Sequence, residues 1–129
     1  MDKTWLPIAA LLGALTVGIG AFGAHGLKAT LATTGRADTF ETANRYQMYH
    51  VLALVLVALI ARTYPEPSVQ VWLGRAAWAF VVGMVFFSGS LYTLALTNYT
   101  KLGAVAPIGG LGFILGWVFV AMSIWTLNK

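Results

Sequence analysis

Three stretches of this chain, Thr4 to Ala24, Ala76 to Thr100 and Leu102 to Asn128, contain no Asp, Glu, Lys or Arg. A fourth apolar run, from Thr39 to Ala61, starts in a polar turn. About 20 apolar residues in a helix cross a bilayer core of about 30 Å. The pattern therefore predicts four spans: Trp5 to Ala24, Thr39 to Ala61, Trp72 to Thr97 and Leu102 to Leu127. The expected fold is all-α, an integral membrane four-helix bundle that forms one transmembrane domain over residues 1–129. Gly23-Ala24-His25 offers small residues suited to cleavage, but the first run is longer than a usual signal-peptide core, so a retained span is expected.

The segments between the spans carry their own signals. Leu27 and Leu31, spaced i and i+4 beside Lys28, predict a short helix lying in the membrane interface, broken at Gly35-Arg36. Asp38 followed three residues later by Glu41 resembles a capping box and predicts that the second helix begins at Thr39. Glu41 and Arg45 form an i, i+4 ion pair on another face. Arg62 to Ser68 is a proline-punctuated turn, and Asn98 to Lys101 a short polar link.

Composition narrows the class further. Hydrophobic residues make up 59% of the chain and charged ones 9%, against about 25% charged in soluble domains, and the mean hydropathy is +0.78. A water-soluble globule is excluded on those figures. The absence of Cys removes disulfides, thiolate metal sites and cysteine nucleophiles. The net charge of +4 comes from scattered residues with no basic run, so nucleic acid is not an expected partner. Lys3, Arg62, Arg75 and Lys129 fall on the side holding both termini, side A; Lys28, Arg36, Arg45 and Lys101 fall on side B. That tie gives the positive-inside rule nothing to act on, and both termini are expected in the cytoplasm only because four-span proteins commonly start there.

Candidate chemistry gathers toward side B, where Gly23 to Gly26, Tyr46 to His50, Phe87 to Tyr92 and Pro107 to Gly110 converge. Polar groups in hydrocarbon need partners and face the bundle interior or a wet cavity. His25, Asn44, Gln47, His50, Ser88 and Ser90 therefore form a candidate polar pocket, with His50 as its titrating group. The competing reading is hydrogen bonding between helices, a common glue in membranes. No carboxylate cluster joins His25 and His50, so no metal and no other cofactor is expected, and no catalytic residues stand out. Glycines suggest close helix contacts: Ala10, Ala14 and Gly18; Thr16, Gly20 and Ala24; Gly112 with Gly116. Packing within the chain is the favoured use, over packing between copies. Gly23 and Gly26 border the first turn, and Pro107 with Gly109 and Gly110 offers a bend, a half-helix end facing a cavity, or simply the ragged start of the fourth span.

At these same segments the chain resembles the small four-helix membrane proteins of the YgdD and YwdK type, a domain-of-unknown-function family (four-two-three) with a eukaryotic transmembrane-protein branch. The resemblance rests on Gly20-Ala21-Phe22-Gly23-Ala24-His25-Gly26-Leu27, on Phe40 to Ala43 with Tyr46 to His50, on Phe87 to Tyr92 and on Ala106 to Gly110. It implies a four-span protein of the bacterial inner membrane and carries no reaction, substrate or cofactor with it. The expected role is that of a non-enzymatic packing, scaffold or accessory component of a membrane assembly, surrounded by the lipid bilayer and partnered by a membrane protein or by further copies. The alternative is a small oligomeric transporter or channel with a polar site in one leaflet. A lipid-binding or lipid-modifying role using His25 to Thr34 and Arg45 is a third.

Overall fold

The computed structural model describes residues 1–129. Helix α1 spans Trp5–Ala24, α2 Lys28–Thr34, α3 Ala37–Thr63 and α4 Pro67–Met84. A π-helical turn, Val85–Gly89, joins α4 to α5, Ser90–Thr97, and a 3-10 turn, Thr100–Ala104, leads into α6, Ala106–Leu127. There are no strands. Four continuous helical runs, Trp5–Ala24, Ala37–Thr63, Pro67–Thr97 and Thr100–Leu127, are long and apolar enough to cross a membrane.

The short helix predicted after the first span is present as α2, closed by Gly35 in the left-handed region at φ 69°. The chain re-enters helix straight after Arg36, so α3 begins at Ala37 and not at Thr39. Asp38 consequently makes no capping hydrogen bond; it lies in the first turn, where a carboxylate complements the exposed N–H groups. Glu41 and Arg45 do pair, at 2.6 Å. The third run begins at Pro67, ahead of the expected Trp72, because proline suits a first helical turn in which its missing donor has no role. Pro107 likewise occupies the first turn of α6 after the 3-10 segment, so of the readings open for that segment the structure shows the start of a helix.

Each long helix packs on the next in the order α1, α3, α4, α6, with α5 continuing α4 along α3. Helices α3 and α4 supply most of the fully buried side chains, including Val51, Leu54, Val57, Val69, Leu73 and Phe80. The outer helices α1 and α6 turn large apolar residues such as Leu11, Val17, Ile114 and Trp125 outward, as a protein solvated by lipid tails requires.

Glycines set the closest approaches. A Cβ on Gly109 would stand 2.2 Å from the Phe87 nitrogen, and one on Gly112 would stand 3.2 Å from the Gly83 Cα. Gly116 faces the Phe80 ring, where a Cβ would come within 2.4 Å. Between α1 and α3, Gly23 admits the Phe40 ring and Gly20 admits the Asn44 amide, at 2.1 and 2.7 Å from their would-be Cβ atoms. Gly18 departs from the expectation of internal packing: nothing lies within 4 Å of its Cβ position, and Ala10 and Ala14 are exposed on the same face. Gly26 meets only the ring of nearby Phe22, and Gly110 makes an ordinary 3.8 Å contact with Phe87.

Candidate functional site

The six polar residues grouped as a candidate pocket are separated: five of them occupy three buried or half-buried environments and His25 lies apart from all three. Asn44 lies on the α3 face turned toward α1, where Gly20 leaves room for its amide. Its Nδ2 donates to the Thr16 carbonyl at 2.9 Å and to the Tyr92 hydroxyl at 3.1 Å. Tyr92 in turn donates to Gln47 Oε1 at 2.6 Å. The result is a chain of hydrogen bonds, Gln47, Tyr92, Asn44, Thr16, that ties α5 and α1 to α3. The Phe40 ring, seated on Gly23, packs against Tyr92 with centroids 5.0 Å apart.

His50 stands midway along α3 and turns the other way, toward α6. Its Nδ1 lies 2.7 Å from the Tyr46 carbonyl, and Trp117 Nε1 donates to its Nε2 at 3.2 Å. A carbonyl only accepts and an indole N–H only donates, so the ring is the neutral tautomer with its proton on Nδ1. The imidazole stacks on Phe113 at 3.6 Å, with the planes 6° apart. Both nitrogens are engaged within the chain, which leaves neither free to ligate a metal or accept a substrate proton in this arrangement.

Ser88 and Ser90 serve the π-helical turn. Ser88 Oγ donates across to the Ala43 carbonyl of α3 at 2.8 Å. Ser90 Oγ turns back to the Phe86 and Phe87 carbonyls, at 2.5 and 3.0 Å, and Thr93 Oγ1 reaches the Gly89 carbonyl at 2.9 Å. A π turn disturbs the regular i to i−4 ladder; the Ser90 and Thr93 hydroxyls supply donors to its carbonyls, and Ser88 fastens the turn to α3. His25 joins none of this: it is exposed just beyond α1. No group of three or more His, Asp or Glu side chains is arranged to hold a metal ion, and no buried side-chain nitrogen or oxygen lacks a partner.

Phe113 and Trp117 complete these clusters although they lie outside the segments that the sequence brings together, whereas Tyr92 falls at the end of one of them. Trp117 carried a usable signal. It sits near the middle of the fourth apolar run, away from the interfacial level where Trp is enriched, and an indole N–H at that depth needs an acceptor.

Four apolar spans tied by internal polar bonds define a multi-span helical membrane protein. The sequence profile of the family described as "Protein of unknown function (DUF423)" matches residues 19–110. Relatives cover nearly the whole chain. A "UPF0382 membrane protein" of Staphylococcus haemolyticus is 46% identical over 122 residues, 94% of each chain. A namesake from Staphylococcus saprophyticus is 42% identical over 126 residues, 97% of this chain and 99% of the relative. UPF0382 membrane protein YwdK of Bacillus subtilis is 37% identical over 121 residues, 94% of this chain and 95% of the relative. The chain belongs to this family. No solved structure matches it.

Proposed function

We propose that the protein is a non-enzymatic accessory component of a membrane assembly, with its polar side chains acting as internal fasteners. The observation that carries this reading is the closure of the polar network: Asn44, Gln47, His50, Ser88 and Ser90 each bond to a group of the same chain. A transporter or channel would present such groups along a route, whereas here Asn44, Gln47, His50 and Ser88 bind α3 to α1, to α5, to α6 and to the π turn, and Ser90 bonds back to that turn. Lipid-facing Ala10, Ala14 and Gly18 on α1 give a partner helix a smooth surface to approach. The proposed location is the bacterial inner membrane with both termini cytoplasmic.

Gentle extraction from the native membrane followed by native mass spectrometry tests the role. A complex with a defined foreign subunit is expected. A ring of identical copies would favour the pore reading, and a lone monomer in several mild detergents would count against an accessory role.

A further inference from the structure

Between α3 and α6, on the side away from α1, lies an open cleft of about 760 Å³. Tyr46, Phe87, Phe113 and Trp117 form its walls, and Pro107 and Gly110 border it on α6. From Pro107 to Trp117 the cleft follows α6 for about 15 Å, at 1.5 Å rise per residue. That is half of a hydrocarbon core of about 30 Å. One end therefore lies at the side B headgroup level and the other near the bilayer centre, where His50 and Trp117 meet. The polar atoms of that pair are already bonded to each other, so the occupant of the cleft is apolar along this length.

The cleft lining holds no charged side chain; charge lies beyond it, on side B. Side B carries Lys28, Arg36, Arg45 and Lys101 against Asp38 and Glu41. The one ion pair of the chain uses Arg45 and Glu41, which leaves Lys28, Arg36 and Lys101 without an acidic partner, and of these Lys101 is exposed on the segment that leads into α6. A transmembrane helix of a second copy fits poorly here, because close helix contacts use small residues and these walls are aromatic rings that a flexible chain can follow.

We propose that this cleft is a binding site for an anionic diacyl phospholipid of the side B leaflet, with one acyl chain lying between α3 and α6 and the headgroup near Lys101. The site selects the lipid by chain length to the bilayer centre and by charge at the mouth.

The test uses the full chain in nanodiscs, with Trp117 as the sole tryptophan and Trp5, Trp72, Trp78 and Trp125 replaced by Phe. Phosphatidylglycerol or phosphatidylcholine brominated near the chain ends serves as the quencher. Stronger quenching of Trp117 by the brominated phosphatidylglycerol is expected. Lys101→Gln should reduce that preference about fivefold, the effect of one basic residue at an anionic surface. Gly110→Leu, which projects into the cleft where only Phe87 is near, should remove the selective quenching while leaving helicity unchanged. Native mass spectrometry of the unaltered chain and of Gly110→Leu gives a second readout that needs no tryptophan replacement: a phosphatidylglycerol retained by the first and lost from the second. Equal quenching by both lipids, insensitive to Gly110→Leu, would reduce the cleft to ordinary lipid contact and overturn the proposal. Absence of quenching together with cross-links between copies would overturn it in favour of a second copy.

Discussion

Trp117 Nε1 donates to His50 Nε2 across 3.2 Å, joining the middle of α6 to the middle of α3 beside the stack of the imidazole on Phe113. This bond, with the Tyr46 carbonyl at Nδ1, fixes the imidazole tautomer. Solid-state NMR of ¹⁵N-histidine protein in lipid should show one histidine with its proton on Nδ1 and Nε2 accepting a hydrogen bond. Trp117→Phe should shift the Nε2 resonance and cost about 0.6 kcal/mol, the average for a hydrogen bond between membrane helices. A proton found on Nε2 would contradict the assignment.

The glycines separate into those that admit a neighbour and those that do not. Gly109→Ala would drive a methyl group into the Phe87 main chain, and overpacking of this kind costs about 1–3 kcal/mol. Gly18→Ala meets open space and gains about 1 kcal/mol of helix propensity. Thermal unfolding of the purified chain in detergent should lower Tm for the first and hold or raise it for the second. Equal effects would mean that the contact between the π turn and α6 is looser than described.

Tyr92 links Asn44 to Gln47, so Tyr92→Phe breaks two bonds and leaves both amides short of a partner. A loss of about 0.6–1.7 kcal/mol is expected. A double-mutant cycle of Tyr92→Phe with Asn44→Ala should show strong non-additivity. Additive losses would mean that the two side chains act independently.

Much of this architecture is legible in the residues themselves. Charge-free runs mark the spans, Leu27 and Leu31 announce α2, and the family segments identify the membrane protein class. The candidate site was less legible for a geometric reason. Asn44, Gln47 and His50 spread over about 120° of α3 at 100° per residue, wide enough for Asn44 and Gln47 to meet Tyr92 while His50 meets Trp117. Which helix lies on which side is a matter of packing order, and a single sequence does not state it. The π turn was also hidden, since Val85-Phe86-Phe87-Ser88-Gly89 reads as ordinary apolar helix.

The central claim is that the chain fastens itself internally and offers the outer face of α1 to another protein. Photo-crosslinking in the native membrane tests it most directly, with a benzophenone amino acid at Gly18, which faces open space, and at Ile114, which is exposed on α6. The account predicts a discrete cross-link from position 18 to one foreign membrane protein and none of that species from position 114. Adducts from position 18 to lipid alone would contradict it.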